Sequence, residues 1–85
     1  MSDQTLELRI QSANQLLFKG TVKSVSTHNT KGDFDILPFH ENFISLIDSK
    51  ISFIDLEGRK KEFPVDLGAI RVEENKIEAL LGIGK

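Results

Sequence analysis

The amino-acid sequence predicts an all-β fold of short strands, and three observations support this prediction. Apolar and polar residues alternate with a period of two in several segments; every second residue from Leu6 to Ile10 is apolar, for example. Such segments recur at a spacing of about 8–12 residues, which is typical of β-sandwiches and barrels. No window of ten or more residues has a convincing helical period. We therefore expect about eight to ten short strands in two sheets that pack face to face.

The first half of the chain contains four predicted strands, separated by turn-forming residues. Val22 and Val25 interrupt the alternation within the third strand, which predicts a β-bulge there. The polar cluster at residues 29–32 predicts a turn, and Pro38 ends the strand that follows it. The four predicted strands are residues 6–10, 16–18, 21–28 and 34–36.

The second half contains further short segments of the same kind. Asp48-Ser49 is expected to end an apolar run, and Glu57-Gly58 predicts the tight turn of a hairpin. Lysines at 60 and 61 are expected to protect an exposed strand edge. A turn is predicted at Glu74-Asn75 before the last strand. The predicted strands are residues 43–47, 51–56, 63–65, 70–72 and 77–81, the last with Ile77, Ala79 and Leu81 facing inward.

Length and composition limit the possible classes of protein. The 85 residues predict a single domain, residues 1–85. A net charge of −2 argues against a nucleic-acid-binding protein, which usually carries a basic surplus. The sequence has no cysteine, so we expect neither a disulfide nor a thiolate metal site. It also has no signal-peptide pattern and no apolar run of the roughly 20 residues that span a bilayer, so we expect no membrane insertion.

Candidate catalytic and metal-binding residues form no convincing set. His28 and His40 lie twelve residues apart with no carboxylate at ligand spacing, whereas a zinc site needs three or four convergent ligands. Asp33 and Asp35 share one strand face, where we expect them to be solvated. The last four residues, 82–85 (GIGK), lack the Ser or Thr and the helix that a phosphate-binding loop requires. We therefore expect no catalytic residues, no metal and no cofactor.

One loop has an unusual composition. Residues 37–43 (LPFHENF) place Phe39 and His40 between two strands in a polar context. An aromatic residue in such a loop either packs beneath it or is presented to a partner, and aromatic anchors are common binding hot spots. Both possibilities remain open from the residues alone, and we expect the other five phenylalanines to lie mostly in the core.

Several segments together resemble a known family. Residues 18–22 (FKGTV) match a Phe-x-Gly-x-Val segment, and residues 32–40 (GDFDILPFH) are similar to Gly-acid-hydrophobic-Gly-Ile-hydrophobic-Pro-Gly-His. Residues 65–72 and 76–80 fit later segments in the same order. In this order and spacing, they resemble the N-terminal β-sandwich domain of the epsilon subunit of F-type ATP synthase, called delta in mitochondria. The resemblance extends over nearly the whole chain, about residues 6–81.

This resemblance implies a flattened sandwich of two antiparallel sheets that performs no chemistry. It implies a central-stalk subunit that binds the gamma subunit and the c-ring, so that ion-driven rotation is coupled to ATP synthesis. Such a subunit is peripheral to the membrane, on its cytoplasmic face, as part of the F1 complex. Longer members continue into a C-terminal helical hairpin, which binds ATP in some of them. Because this sequence ends about where the sandwich ends, we expect neither the hairpin nor ATP binding.

The resemblance also implies roles for particular residues. Thr30, Asp33 and His40 occupy positions that face the c-ring, and Ser12 lies near the gamma-facing side. This sequence departs from the family pattern at Phe39, which replaces the Gly after Pro, and at Glu41-Asn42, which replace Ala-Pro. Since a Phe does not easily adopt a positive φ, we expect the loop to have a different shape here. We expect Phe39 to be an exposed anchor for the stalk or the ring.

Two other classes of function remain as alternatives. An unrelated β-sandwich could bind a peptide or a small ligand, but it would not need the ordered motifs between residues 18 and 72. A small enzyme is also compatible with a β-sandwich, because fold does not determine function. The absence of a catalytic triad, a metal-ligand set and a cofactor loop argues against it.

Overall fold

The computed structural model describes residues 4–82 and contains only β-strands and connecting turns and loops in that range. The residues at 83–85, which include most of the GIGK segment, lie outside the described part. No helix between residues 4 and 82 is long and apolar enough to cross a membrane. The six strands are β1 (Leu6–Ser12), β2 (Leu16–Asn29), β3 (Gly32–Ile36), β4 (Phe43–Asp55), β5 (Lys60–Glu73) and β6 (Lys76–Leu81).

The strands form one sheet that closes on itself. Their order is β1-β6-β5-β4-β2-β3, and β1 also pairs with β2, which completes a barrel-like ring. All pairs are antiparallel except β1 and β6, which run parallel. The all-β class is therefore confirmed. The predicted wholly antiparallel arrangement is wrong at β1–β6, and residues 4–82 form one closed, barrel-like sheet rather than two clearly separate ones.

The predicted number of strands, about eight to ten, is also wrong. Asp48-Ser49 does not end a strand, because β4 continues through it with an irregular register between Ile47 and Ser49. Ser49 adopts a positive φ of 70°, which lets the strand bend without ending. Gly20 is likewise interior to β2, and the bulge predicted near Val22 is present in the pairing of β2 with β4. Three long strands thus replace pairs of short predicted ones.

The interior of the closed sheet is lined by aliphatic side chains. Predicted inward-facing residues at both ends of the chain are buried, including Leu6, Leu8 and Ile77. Phe53 is the largest fully buried side chain, and its ring lies 4.3 Å from that of Phe18, centroid to centroid. The remaining core residues are Ile10, Val22, Val25, Ile36, Ile47, Ile51, Val65, Ile70, Val72, Ala79 and Leu81.

Candidate functional site

The loop at residues 37–42 joins β3 to β4 and exposes apolar side chains. Phe39 is 73% exposed, and Leu37 before it is also exposed. Because the ring of Phe39 remains in water, its burial contributes little to the stability of the fold. An exposed apolar group of this kind can instead be covered by a binding partner. The expectation that Phe39 is exposed is met, and the alternative of a ring packed beneath the loop is wrong.

The backbone of Phe39 lies in the left-handed region, with φ of 68°. The expectation that a Phe avoids such a conformation here is wrong, and the reason is a contact with a distant turn. The Phe39 N–H donates to Oδ1 of Asn75 at 2.5 Å, and the His40 N–H donates to the Leu37 carbonyl at 3.1 Å. At this position the loop therefore keeps a backbone conformation that glycine favours.

His40 is exposed in the same loop and contacts an aromatic residue. Its Nδ1 lies 2.9 Å from the Glu41 carbonyl, which can only accept, so Nδ1 carries the proton in this contact. The imidazole ring lies 5.0 Å from the ring of Phe43, centroid to centroid. Phe43 in turn lies 5.9 Å from Phe34 of β3 in an edge-on arrangement. These rings connect the loop to the β2–β3 hairpin.

Thr30 and Asp33 lie on that hairpin. Thr30 is exposed in the turn between β2 and β3, and Asp33 is exposed on β3 opposite His28 of β2. Asp35, on the same face as Asp33, accepts a hydrogen bond from the Ser26 hydroxyl at 2.6 Å. The structure thus groups Phe39 with His40 in one loop that follows the strand of Asp33 directly, and ring contacts from His40 to Phe43 and from Phe43 to Phe34 also link the loop to that strand.

Ser12 lies at the other end of β1 from this loop. The N–H and the hydroxyl of Ser12 both approach the Gln15 carbonyl, at 2.9 and 3.4 Å, in the turn that leads to β2. At the opposite end of the strand, the Glu7 N–H donates to the Asn75 carbonyl at 2.9 Å. Glu7 and Ser12 are five positions apart in an extended strand, or about 17 Å. Ser12 and the 37–42 loop therefore belong to different ends of the molecule.

A row of mostly apolar side chains crosses the outer surface near the Ser12 end. Cross-strand register places its members side by side, because paired residues point to the same side of a sheet. A second row, of mostly charged residues, runs beside it. In that row Arg71 Nη2 lies 3.5 Å from Glu78 Oε1. We call the mostly apolar row the outer apolar row. Its members are Leu46 of β4, Ala69 of β5, Leu80 of β6, Gln11 of β1 and Leu16 of β2.

Comparison with known protein families gives a direct match. The β-sandwich domain family of the ATP synthase delta/epsilon chain matches residues 5–81. The chain belongs to this family. The matched range includes all six strands of the structure, so the resemblance found in the sequence is confirmed.

Curated relatives of this delta/epsilon-family domain are named ATP synthase epsilon chain. The ATP synthase epsilon chain of a Nitratiruptor species is 36% identical over 78 residues, covering 91% of this chain and 60% of the relative. The epsilon chain of Campylobacter fetus subsp. fetus is 31% identical over 80 residues, with the same two coverages. The chain thus spans about 60% of the length of these relatives.

Solved structures share the fold of this delta/epsilon-family domain. A chain in the Euglena gracilis mitochondrial ATP synthase structure, described as OSCP/F1/c-ring in rotational state 1, matches with a TM-score of 0.86 at 12% identity. That match covers 93% of this chain and 51% of the other. A chain of the Tetrahymena thermophila mitochondrial ATP synthase central stalk/c-ring matches with a TM-score of 0.74 at 9% identity, over 95% and 66% of the two chains.

Sequence reasoning missed two features of this delta/epsilon-family domain. His28 Nδ1 lies 2.6 Å from Asp48 Oδ1, although the residues are twenty positions apart in the sequence. Their contact depends on the pairing of β2 with β4, which residue spacing does not reveal. The outer apolar row was missed for the same reason, since register alone aligns its members. Among residues 4–82, no three His, Asp or Glu side chains are grouped so that they could hold a metal ion.

Proposed function

We propose that this chain is the β-sandwich domain of an ATP synthase epsilon-type subunit and a non-catalytic part of the central stalk. It binds the gamma subunit and the c-ring, so that ion-driven rotation of the ring is coupled to ATP synthesis. The observation that carries this proposal is the family match over residues 5–81, a range that includes all six strands. The names of the relatives and of the matched solved structures support it.

Two separate surfaces support two different partners. The outer apolar row offers a mainly aliphatic surface with charged residues beside it, which resembles the core and rim of a protein interface. Because Gln11 in that row precedes Ser12 directly, we assign this end to the gamma subunit. The 37–42 loop, with Phe39 and His40, and the hairpin carrying Thr30 and Asp33 face the c-ring in this proposal.

The proposed mechanism is binding to a rigid body. Each strand of the closed sheet is hydrogen-bonded to at least one neighbour, and β1 is bonded on both sides. A torque applied at the loop is thereby passed through backbone ladders rather than through flexible links. In this proposal the domain is peripheral, at the cytoplasmic face of the membrane within the F1 complex, and it binds no ATP, nucleic acid or cofactor itself.

The test is a calorimetric titration of the chain with the gamma subunit of the same organism. We expect one-to-one binding, and Leu80→Ala in the centre of the outer apolar row should weaken it about tenfold, as truncation of a central interface residue does. Leu56→Ala is a matched control, because Leu56 is an exposed leucine in the turn between β4 and β5. Leu56→Ala and Asp33→Ala should leave the affinity unchanged.

The proposal fails if the folded chain and folded gamma subunit show no binding at micromolar concentrations. Equal weakening by Leu80→Ala and Leu56→Ala would instead retain the stalk function and reject the outer apolar row as the gamma-binding surface. The two outcomes are distinguished by the titration of the unaltered chain.

A further inference from the structure

We propose that Asn42 and Asn75 are positioning residues that hold Phe39 in its left-handed conformation and thereby present its ring to a stalk partner. This inference rests on the proposed function and adds to it two residues outside the set that the sequence indicated. It concerns a contact between two segments that lie far apart in the sequence. These are the 37–42 loop and the turn at residues 74–75, which joins β5 to β6.

The two asparagines form reciprocal hydrogen bonds between these segments. Oδ1 of Asn75 accepts from the Phe39 N–H at 2.5 Å, and Oδ1 of Asn42 accepts from the Glu74 N–H at 3.1 Å. We call this pair of bonds the asparagine clasp. The turn itself is anchored, because the Asn75 carbonyl accepts from the Glu7 N–H of β1 at 2.9 Å. The loop is therefore fixed to the body of the sheet from both directions.

The clasp explains how an unfavourable backbone conformation persists at Phe39. A non-glycine residue in the left-handed region is strained, and such strain persists only where the surroundings fix it. Its ring is 73% exposed, so burial of that side chain does not fix it. Two hydrogen bonds fix it instead: its own N–H donates to Asn75, and the His40 N–H donates to the Leu37 carbonyl and closes the turn around Phe39.

A fixed aromatic ring is favourable for binding, because a partner then orders less of the loop on association. A glycine at position 39 would need no support for a positive φ, whereas a phenylalanine does. The exposed ring and the two asparagines that support its loop occur together in this chain.

The experiment uses amide hydrogen exchange and binding with matched variants of Asn75. Asn75 has a φ of 63°, which glycine adopts freely, so Asn75→Gly removes the side-chain acceptor and keeps the turn. Asn75→Asp is the conservative variant, because its carboxylate accepts the same N–H. We expect the Phe39 amide to exchange about tenfold faster in Asn75→Gly, which matches the loss of one hydrogen bond. In Asn75→Asp it should remain protected.

Binding is measured between the chain, saturated with its gamma subunit, and the c-ring of the same organism in lipid nanodiscs. Asn75→Gly should weaken this binding about three- to tenfold, and Asn75→Asp should restore it. In a Phe39→Ala background, Asn75→Gly should have no further effect, because the clasp acts through the Phe39 ring. A purely structural role would not depend on whether that ring is present.

Three results would overturn the inference. The first is an unchanged exchange rate at Phe39 in Asn75→Gly, and the second is equal weakening of ring binding with and without the Phe39 ring. The third is that the unaltered chain binds the gamma subunit but the resulting complex does not bind the c-ring. That result would retain gamma binding as part of the proposed function. Absence of binding to either partner would reject the proposed function as well.

Discussion

At the scale of single residues, Asp55 closes the turn between β4 and β5. Its Oδ1 accepts hydrogen bonds from the N–H groups of Glu57 and Arg59, each at 2.9 Å. The bond from the Arg59 N–H is the main cause that lowers the pKa of the Asp55 carboxyl, and the nearby charges of Arg59 and Lys61 act in the same direction. The ionised form is therefore the one that the folded turn favours.

The lowered pKa of Asp55 predicts a loss of stability in acid. Above the ordinary carboxyl pKa of 3.8 the group is ionised in both states, and its contribution to stability is fully present. This contribution is lost as the pH falls through the lower pKa of the folded state. The free energy of unfolding of the unaltered chain should fall between about pH 4 and pH 2, and this fall should be smaller in Asp55→Asn. The measurement is urea denaturation of both proteins at each pH.

The control for this experiment is Glu57→Gln in the same turn, because the exposed Glu57 carboxylate lies 3.2 Å from the exposed guanidinium of Arg59. It should leave the acid dependence close to that of the unaltered chain. An Asp55 carboxyl that titrates at or above 3.8 in a carbon-detected NMR titration of the folded protein would contradict the prediction.

The residue scale is also where sequence reasoning was least complete. Composition placed Phe39 in a loop, and the exposure expected for it is observed. Its positive φ was predicted wrongly, because the Asn75 oxygen that accepts from its N–H is thirty-six residues away in the sequence. The roles expected for Thr30, Asp33, His40 and Ser12 rest on the family resemblance and stay predictions. Their positions are known, but their partners are not part of the fold itself.

At the scale of strands, Gly68 permits the close approach of β5 and β6. It is buried, and a Cβ built there would lie 2.8 Å from the Leu80 carbonyl oxygen, 3.2 Å from a Leu81 methyl and 3.3 Å from Ile47 Cγ1. The nearest of these atoms belongs to backbone, which cannot rotate away as a side chain can. A side chain at this position therefore requires the two strands to separate.

Gly68→Ala should destabilise the fold by about 1–3 kcal/mol, as overpacking of a well-packed interior does. Gly20→Ala in β2 is the matched control, because the nearest atom to its Cβ is the far end of the Phe18 ring, at 3.1 Å. It should cost less. The measurement is the urea midpoint of both variants, followed by circular dichroism, and equal costs would contradict this account of Gly68.

The number of strands was overestimated because short-range signals mark bends as well as ends. Polar residues at 48–49 and a glycine at 20 indicate an interruption, and local sequence does not distinguish a bulge from a turn. The turns at residues 30–31, 57–58 and 74–75, in contrast, were predicted correctly. Glycine at 58 and two consecutive positive φ values at 74–75 fit the chemistry of tight turns.

At the scale of the whole molecule, the closed sheet divides folding and binding between its two faces. β1 pairs with β2 on one side and with β6 on the other, so it completes the ring that encloses the core. Ile10 of β1 is fully buried, whereas Leu80 of the neighbouring β6 is 38% exposed on the outer face. Stability should therefore depend mainly on inward-facing residues and partner affinity on outward-facing ones.

The comparison of Ile10→Ala with Leu80→Ala tests this division. Truncation of a fully buried isoleucine should cost about 2–5 kcal/mol, a large part of the stability of a domain this small. Leu80→Ala should cost less, about 1–2 kcal/mol, because 38% of the surface of Leu80 is already in water. Urea denaturation followed by far-UV circular dichroism suits a chain without Trp or Tyr. If Leu80→Ala costs as much as Ile10→Ala, Leu80 belongs to the core, and a loss of gamma binding in that variant would reflect unfolding rather than a binding surface.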